Sequence, residues 1–478
     1  MNGWWDNTYR HRIPVTLVDT LGQRRHNEPV KLNLAFDLFK PRAESIRVIN
    51  DAGGEIVSQV INSRVEDGRL LSGTVAFVCT TTGRETGFNI YFDTESGAAA
   101  DYDGIRRLET SLADGYRRLD TGSYVLEICR GTGQGSGASK WGIRSFEHKD
   151  QAINLIHGCG NAFGGVYGPF FTPENGLVNP PAHMVINIDP VDEGPVLCRY
   201  KLHGTIPNGL NPDLHDKRLE MWWTFYHNSP WFERTYILDP YETVIDRRIV
   251  SNRITVGDEI ESGKGKLLLS TYKHYGGTAY RAGDLYAGIL LDCVNQLRKD
   301  HPDETAAALE QLSIDVEQDP STWHWDNYWR LFCVIEDALP RDILKAQLKS
   351  IVEIANRVVW SDRAHTFVHY SDDFVEVNAA PDQTIFPTDA RKTCAYSPET
   401  GYSFLYCVNS TIPRMQIVQR QDSGWVNWGT NGENEYPELL SGSTIWSAYG
   451  RFDDWEAEVD KIESGLAYRL GEVEHRDP

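Results

Sequence analysis

The chain has 478 residues, of which 40% are hydrophobic and 24% charged, and its formal net charge is -21. That length is too great for one small hydrophobic core, so we expect two domains. The acidic balance disfavours nucleic acids and anionic membranes as partners, although a local cluster of Arg and His could still bind an anionic ligand. No stretch approaches the ~20 apolar residues of a membrane span. We therefore expect neither a nucleic acid nor a membrane as partner, and the sequence leaves the oligomeric state open.

The N-terminus and the cysteines bear on the compartment. The opening MNGWWDNTYRHRIPV lacks the apolar core of a signal peptide. As written, the sequence predicts a cytoplasmic protein, or a secreted or periplasmic one if a leader has been removed. The eight cysteines are scattered, mostly within strand-like runs, and form no CxxC pair. This pattern predicts buried thiols in a reducing compartment and argues against a structural zinc site.

Residues 1–105 contain short strand-like runs at regular spacing, with alternating apolar residues and with Gly, Asp and Asn between them. This pattern predicts a small antiparallel β-sandwich. The small and polar residues 93–104 are typical of a linker, so we place the first boundary at residue 105. The runs are RIPVTLV, VKLNLAF, SIRVIN, IVSQVI, GTVAFVCT and GFNIYF.

Residues 106–478 remain dominated by strand-like runs. More than ten strands in one domain require two large packed sheets, so the predicted fold is mainly β with few helices. Residues 339–359 and 453–470 carry apolar residues at helical spacing and predict the helices. The strand-like runs are SYVLEICR, HMVINID, PVLCRYKLHG, RLEMWWTFYH, WFERTYILD, RRIVSNRITV, KLLLSTY, LYAGILLDCV, YWRLFCVIE, HTFVHYSD, YSFLYCVN and RMQIVQRQ.

Several of these runs resemble known families. The opening W-x-x-x-Y-R-x-R-I-P-V-T-L, SIRVIN and NIYFD resemble the N-terminal sandwich that precedes some polysaccharide-degrading domains. DEGPVLCRYKLHG, followed by MWWTFYHNSPWFERTYIL, resembles the galactose-mutarotase-like super-sandwich. HTFVHYSDDFVEV and YSFLYCVNSTIPR are similar to its closing strands. The overall order is similar to exo-acting lyases of the rhamnogalacturonan-lyase-like and rhamnose–glucuronate-lyase-like kinds. This resemblance implies a carbohydrate substrate and β-elimination by the second domain.

A uronate lyase needs a cation to neutralise the sugar carboxylate, a base for the C5 proton and an acid for the leaving oxygen. Arg suits the first role, and His and Tyr suit the other two. The segment KHYGG places His274 and Tyr275 beside flexible backbone, followed by Tyr280 and Arg281. We predict His274 and Tyr275 as the proton-transfer pair, with Arg281 near the carboxylate and Tyr280 at the substrate.

Two other histidine segments offer alternatives. His227 precedes a turn-forming Asn-Ser-Pro and should lie at a strand end, with Arg234 a few residues on. We predict His227 as the alternative base and Arg234 as an alternative carboxylate ligand. His369 shares a strand face with two other residues of HTFVHY, and we predict it to contact substrate. Each histidine taken singly would also suit a hydrogen-bonded surface position.

Three aromatic and polar segments predict further sugar-binding positions, because the 14 Trp and 22 Tyr of the chain include rings that suit stacking on sugars. Residues 164–183 form a long segment rich in Gly and Pro, of the kind that is commonly functional. TWHWDNYWR and WVNWGTNGENEYPELLSG are the other two, although all three would also suit core or inter-domain packing. The substrate-binding residues predicted here are Tyr167, Glu174, His183, Trp325, Trp428 and Glu435.

No cofactor is indicated. GTGQGSG lacks the strand–helix context of a nucleotide fingerprint. No ligand spacing identifies a metal, although a divalent cation such as calcium could help to neutralise a uronate. The sequence leaves three functions open: the lyase, a glycoside hydrolase or sugar epimerase on the same scaffold, and a non-catalytic carbohydrate-binding protein.

Overall fold

The structure is a computed structural model, which describes part of the chain. The described residues are 3–94, 102–113, 115–132, 141–151, 154–156, 163–168, 185–206, 216–245, 248–251, 253–261, 271–274, 294–320, 331, 334–335, 358–361, 366–369, 374–376, 384–388, 392–396, 400–408, 415–419, 423–428 and 439–476.

These residues form a mainly β protein with antiparallel sheets and few helices, as predicted. The first strands are β1 (His11–Val18), β2 (Glu28–Ala35), β3 (Arg47–Asn50), β4 (Glu55–Ile56), β5 (Ser58–Glu66), β6 (Arg69–Cys79), β7 (Glu85–Phe92), β8 (Arg106–Leu108), β9 (Gly115–Asp120), β10 (Tyr124–Cys129), β11 (Gly142–His148), β12 (Phe163–Gly168), β13 (Asn187–Glu193), β14 (Leu197–Thr205), β15 (Arg218–Tyr226) and β16 (Trp231–Leu238). The later strands are β17 (Glu242–Ile245), β18 (Arg248–Ser251), β19 (Arg253–Glu261), β20 (Thr271–His274), β21 (Val358–Ser361), β22 (Thr366–His369), β23 (Phe374–Glu376), β24 (Thr384–Thr388), β25 (Lys392–Tyr396), β26 (Ser403–Val408), β27 (Met415–Gln419), β28 (Ser423–Trp428), β29 (Leu439–Leu440), β30 (Thr444–Gly450), β31 (Ala467–Leu470) and β32 (Glu474–His475).

The small N-terminal sandwich consists of two sheets. One has the order β31-β1-β7-β3-β4, with β32 also paired to β1, and the other has the order β2-β6-β5. Alternation along β2 explains its place, because Val30, Leu32 and Leu34 are buried while Lys31 and Asn33 are not. The inward side chains of both sheets form one apolar core.

The C-terminal residues belong to this small sandwich in space, although the sequence places residues 106–478 in the second domain. Strand β31 pairs with β1 in the register Val15↔Leu470, and β32 pairs with it in the register His11↔His475. The added strands cover the edge of β1, which would otherwise present unpaired backbone groups. The small sandwich is therefore built from both ends of the chain.

The large sandwich also consists of two sheets. Sheet I has the order β24-β27-β28-β19-β12-β11-β10-β9-β8, with β29 paired to β19. Sheet II has the order β13-β14-β15-β16-β30-β26-β25-β20-β23. An aromatic core lies between them, in which Phe163 of sheet I stands 5.4 Å from Phe404 and 6.0 Å from Phe232 of sheet II between ring centroids. The two-sheet prediction is confirmed, while β17–β18 and β21–β22 form separate pairs.

The described helices are α1 (Pro302–Gln311), α2 (Trp455–Ser464) and a 3-10 turn at Ala43–Ser45, and residues 294–300 are also helical. Helix α2 confirms part of the predicted helix at 453–470, and it starts at an N-cap, Asp454, whose carboxylate accepts the Ala457 N–H at 3.0 Å. It stops at Gly465, whose φ of 62° lies in the left-handed region. Helix α1 was not among the helices predicted from the sequence.

Three further element predictions differ from the structure. The strand predicted over LYAGILLDCV is described only at its last residue, Val294, which is helical. The strand predicted over YWRLFCVIE is wrong, because the described residues 331, 334 and 335 are helical. Periodicity cannot separate a short buried helix from a buried strand in such an apolar run. The helix predicted at 339–359 lies outside the described residues except for its last two, which begin β21.

The small sandwich packs on sheet II through an apolar patch. Ile61 and Ala76 join Val196, Leu197 and Tyr226 in one buried cluster. The contact is also polar, because the Gln59 side-chain oxygen accepts the backbone N–H groups of Val196 and Leu197 at 3.1 and 3.0 Å. The small sandwich is thereby held against the β14–β15 part of sheet II.

The thiols predicted to be buried are buried where the structure describes them, at Cys79, Cys129, Cys198 and Cys407. Burial raises the pKa of Cys79 and of Cys198 to about 12, so both remain protonated thiols. Within the described residues, no helix combines the length and apolar character needed to cross a bilayer.

Candidate functional site

Titratable side chains from both large sheets meet at one end of the large sandwich. We call this group the sandwich-end cluster and define it as Tyr124, His148, Tyr402, Tyr449 and Arg451. Tyr124 pairs with His148 across β10 and β11 of sheet I. The other three flank the paired ends of β26 and β30 in sheet II, where Ser403 pairs with Gly450. The cluster thus depends on the two sheets facing each other.

His148, the last residue of β11, stands among three tyrosine rings. Its ring lies edge-on to Tyr402 at 5.0 Å, to Tyr449 at 5.8 Å and to Tyr124 at 5.8 Å between centroids. Its side chain is 13% exposed, so one edge of the ring still reaches solvent. Edge-to-face packing of this kind fixes the ring orientation.

The environment of His148 favours the neutral imidazole. Burial lowers the pKa of His148, and Arg451 lowers it further, while Asp150 opposes the shift. The Asp150 backbone N–H donates to Nδ1 at 3.2 Å. Because Nδ1 is an acceptor there, the hydrogen-bond pattern assigns the proton of the neutral ring to Nε2. His148 therefore presents an N–H donor.

Tyr402 and Arg451 form the polar part of the cluster. The Arg451 guanidinium carbon lies 5.0 Å from the Tyr402 ring centroid, within cation–π range. Burial raises the pKa of Tyr402, Asp150 raises it further, and Arg451 partly offsets both. Tyr402 therefore keeps its phenolic proton at neutral pH, beside an exposed cation.

Tyr124 ties the cluster to the β15–β16 turn. Its hydroxyl lies against the carbonyl of Pro230 and 3.0 Å from the carbonyl of Tyr449, and it accepts the Tyr449 N–H at 3.0 Å. Burial raises the pKa of Tyr124 and that of Tyr449, so both are neutral. Their role in the described structure is to fix the end of the sandwich.

His227 lies at the β15–β16 turn next to the cluster, at a strand end as predicted. Its backbone N–H donates to the carbonyl of Val196 at 2.8 Å, and the Asn228 N–H donates to the carbonyl of Thr121 at 2.7 Å. Asn228 has a φ of 54°, which Asn tolerates better than most residues. The opposing Gly122, with a φ of 92°, has no room for a side chain, because a Cβ would stand 2.0 Å from Asn228 Oδ1.

His227 is half-buried, and its environment favours the neutral imidazole, as that of His148 does. Burial lowers its pKa, and Lys149 contributes to the lowering, while Asp103 and Asp120 oppose it. Lys149 Nζ lies 3.1 Å from Asp120 Oδ1. Since the Tyr124 hydroxyl contacts the carbonyl of Pro230 in the same turn, the His227 turn and the sandwich-end cluster adjoin. Two neutral histidines therefore stand at one end of the molecule.

Asp120 is anchored as a carboxylate at this turn. Burial alone would raise its pKa, but the Gly122 N–H at 2.9 Å, Lys149 and Arg106 hold the pKa of Asp120 below its usual range. With these donors engaged, Asp120 organises the turn and balances the charge of Lys149.

Arg234, predicted as a carboxylate ligand, lies inside the large sandwich and is 0% exposed. Its guanidinium binds Asp258 in a bidentate pair at 2.5 and 2.8 Å, and it also reaches Ser447 Oγ at 3.2 Å. The Phe163 ring centroid stands 4.5 Å from its guanidinium carbon. Burial opposes the charge, but Asp258 outweighs it and raises the pKa of Arg234. This placement favours a structural role, since a substrate carboxylate would have to enter the core.

Other predicted residues are placed by backbone only. His274 ends β20 in register with Thr393 of β25, which pairs in turn with Tyr406 of β26. That row lies further along the strands than the Tyr402 end, so the register does not bring His274 into the sandwich-end cluster. His369 pairs with Val358 in the separate β21–β22 pair.

Tyr167 belongs to strand β12, which includes the first residues of the Gly- and Pro-rich segment 164–183. Trp428 ends β28 in register with Val256 of β19, whose other neighbour is Val166. The two predicted residues therefore lie on strands that flank β19. The predicted residues outside the described part of the chain are Tyr275, Glu174, His183, Tyr280, Arg281, Trp325 and Glu435.

Sequence reasoning missed His148, Tyr402 and Arg451. Each lies at a strand end, and the available signals were the polar HKD that begins at the last residue of β11 and the Gly-Arg that begins at the last residue of β30. Their contact joins residues more than 250 positions apart through the pairing of two sheets, which a single sequence does not reveal.

Among the described residues, no group of three or more His, Cys, Asp or Glu side chains could hold a metal ion. The described cluster instead offers a phenol, an imidazole and a guanidinium. Such a set can bind a carboxylate and exchange protons.

No family model matches the chain, and no curated protein matches it. Similar solved structures include an alpha-mannosidase from Enterococcus faecalis V583, at 7% identity and a TM-score of 0.45, covering 98% of this chain and 46% of that one. A putative aldose 1-epimerase from Escherichia coli K12 has 8% identity and a TM-score of 0.35, covering 73% and 100%. Galactose 1-epimerase from Lactobacillus acidophilus NCFM has 12% identity and a TM-score of 0.31, covering 73% and 99%.

The chain spans about half the length of the mannosidase that it matches (46%). The TM-scores of all three structures lie below 0.5. These likenesses therefore leave the reaction of this chain to be inferred from its own residues.

Proposed function

We propose that this protein cleaves a uronic-acid-containing glycan by β-elimination. The observation that carries the proposal is the meeting of a protonated Tyr402, an exposed Arg451 and a neutral His148 at one end of the large sandwich. The resemblance of the sequence to exo-acting lyases supports action from a chain end.

Arg451 neutralises the C6 carboxylate of the bound uronate. Its guanidinium is exposed and lies 5.0 Å from the ring centroid of Tyr402, which is 4% exposed, so a carboxylate that pairs with it comes close to that ring. Neutralising the carboxylate makes the C5 proton more acidic, because the developing negative charge is delocalised onto it. A bidentate arginine pair suits this task.

The proton acceptor in this proposal is His227, which is neutral because burial lowers its pKa. The C5–H bond breaks and its proton passes to the imidazole. The electron pair forms the C4–C5 double bond, and the C4–O bond breaks. Tyr402 donates its phenolic proton to the departing glycosidic oxygen, and His148 positions Tyr402 through edge-to-face packing.

The predicted pair His274 and Tyr275 is the alternative source of the two proton transfers. It remains a proposal from the sequence, and the backbone register aligns His274 with Thr393 and Tyr406. If His274→Ala abolishes the reaction while Tyr402→Phe leaves it intact, the assignment passes to that pair.

The test is the appearance of the ultraviolet band of unsaturated uronates during incubation with uronic-acid glycans. We expect the band with the wild-type protein and a loss of about 10²–10⁴-fold in rate for Tyr402→Phe, as for removal of a general acid. The matched control is Tyr468→Phe, on the exposed strand β31. New reducing ends without the band would establish a hydrolase, and interconverted sugar isomers would establish an epimerase.

A further inference from the structure

We propose that the outer face of sheet II carries a second carbohydrate site, which binds neutral sugar units of a glycan. We call it the Trp222 face and define it by Arg199, Lys201, His203, Glu220 and Trp222, on strands β14 and β15. The site is separate from the sandwich-end cluster and uses none of its residues.

Strand alternation creates this face. Along β15 the side chains of Met221 and Trp223 enter the core, while those of Glu220 and Trp222 point to the opposite side. The neighbouring strand aligns with them, since Lys201 pairs with Trp222 and His203 pairs with Glu220. A row of polar side chains therefore surrounds one half-buried tryptophan.

The Trp222 ring is held in place by its neighbours. Its Nε1 donates to Glu220 Oε2 at 3.2 Å. The Arg199 guanidinium carbon and Lys201 Nζ lie 5.8 and 5.9 Å from the ring centroid. A partly exposed ring that is fixed by polar neighbours is a stacking platform for the C–H face of a sugar, and the surrounding groups can bond its hydroxyls.

The charges on this face favour a neutral sugar over a uronate. Arg199 lies 2.6 Å from Asp192, Lys201 lies 3.6 Å from Asp189, and His203 lies 2.9 Å from the same carboxylate. With Glu220, three carboxylates face two permanent cations. A uronate would therefore meet cations that are already paired, whereas sugar hydroxyls can accept from the cations and donate to the carboxylates.

The small sandwich borders the Trp222 face on one side. Asn62 Oδ1 accepts a hydrogen bond from Arg199 at 2.8 Å, and Lys31 binds Glu233 of β16. On the other side the face stays open, since Ile237 beside Glu220 is 40% exposed. The small sandwich therefore borders the Trp222 face on one side and solvent reaches it on the other, which suits an extended glycan chain.

The experiment is native gel electrophoresis in gels that contain a soluble β-glucan, a galactomannan or an arabinan, with polygalacturonate as the charged comparison. We expect at least one neutral polysaccharide to retard the wild-type protein. Trp222→Ala should weaken this binding at least tenfold, and Trp222→Phe, which keeps a smaller ring, should lose less. The matched control is Trp4→Ala, since Trp4 also stands beside an arginine, at 5.1 Å from Arg12, but on the small sandwich.

Retardation of Trp222→Ala equal to that of the wild type would overturn the inference, and so would the absence of retardation by all three neutral polysaccharides. Stronger Trp222-dependent binding to polygalacturonate would overturn the neutral-sugar specificity. Tyr402→Phe should bind the neutral polysaccharide like the wild type. Loss of lyase activity and loss of this binding are therefore separable, so each proposal can fail alone.

Discussion

At the scale of single residues, burial separates two arginines that look alike in the sequence. Arg234 is enclosed with Asp258 between aromatic rings, whereas Arg451 keeps an exposed guanidinium beside Tyr402. A buried pair tolerates the loss of one partner poorly, because the other charge is left without compensation. The same residue type thus stabilises the core in one place and stays exposed in the other, where we propose that it binds a substrate carboxylate.

We expect Arg234→Met to lower the free energy of unfolding by about 3–5 kcal/mol, since it leaves the Asp258 carboxylate buried without its cation. The measurement is urea unfolding followed by circular dichroism. Arg218→Met is the matched control, because the Arg218–Asp239 pair is exposed, with an arginine side chain 72% accessible, and should change little. Equal effects of the two substitutions would contradict the structural role of Arg234.

The lowered pKa of His227 predicts the acid limb of the pH–rate profile. The base must be neutral, so activity should persist below pH 6.5, the ordinary histidine pKa, and fall only at lower pH. Lys149→Ala removes a cation that helps to lower this pKa, so the acid limb should move to higher pH. The measurement is kcat/KM across the acid range, and an unmoved limb would count against His227 as the base.

At the scale of elements, the turn between β9 and β10 packs closely against the turn between β15 and β16, with Gly122 against Asn228. Gly122→Ala should cost more than the ~1 kcal/mol of placing an alanine in a left-handed conformation, because its Cβ would also collide with Asn228. Gly68→Ala is the control, since Gly68 has a φ of 74° but nothing within 4 Å of the added Cβ. Equal melting temperatures for the two variants would contradict this docking.

Much of the fold could be predicted from local patterns. Alternation in VKLNLAF and in RLEMWWTFYH predicts strands with one buried face, and both occur as β2 and β15. The helix at Trp455–Ser464 follows from its spacing and its Asp454 cap. Such patterns act within one element, so a single sequence is enough to reveal them.

Contacts between distant elements could not be predicted. Alternation does not say that β31 would pair with β1, or that His148 and Tyr402 would meet across two sheets. Of the predicted site, His227 does lie at a strand end beside titratable neighbours. Arg234 instead lies in the core, where it binds an aspartate 24 residues away. Which strands pair and which side chains meet depends on the packing of the whole molecule, and the pattern of a single sequence gives little information on it.

At the scale of the whole molecule, a buried charge cluster joins the small sandwich to helix α2. Arg25 is 0% exposed and pairs with Asp19 at 2.9 Å and with Glu28 at 3.0 Å. Its guanidinium also donates to the carbonyl of Lys461 at 2.5 Å and to that of Gly465 at 3.0 Å, at the C-terminal end of α2. A cation is favourable at a helix C-terminus, so this arginine connects both ends of the chain.

Glu28 makes this junction sensitive to pH. Burial raises its pKa to about 7, Arg25 opposes the shift, and Glu458 adds to it. The folded protein therefore holds a proton that the unfolded chain releases near pH 4.5, so the contribution of Glu28 to stability is greatest below pH 4.5 and is lost as the pH rises through about 7. We expect the urea midpoint to fall less between pH 5 and 7.5 in Glu28→Gln than in the wild type.

The matched control is Glu66→Gln, which removes an exposed carboxylate paired with Lys40. It should keep the wild-type dependence on pH. If Glu28→Gln shows the same dependence as the wild type, Glu28 does not titrate in this range and the junction is not pH-sensitive.

The most direct test of the central claim is the ultraviolet absorbance of purified protein incubated with a panel of uronic-acid glycans. The proposed lyase predicts a rising band of unsaturated uronate product, which Tyr402→Phe slows by about 10²–10⁴-fold and Tyr468→Phe leaves unchanged. New reducing ends without that band, or an equal band from Tyr402→Phe and the wild type, would contradict β-elimination at the sandwich-end cluster.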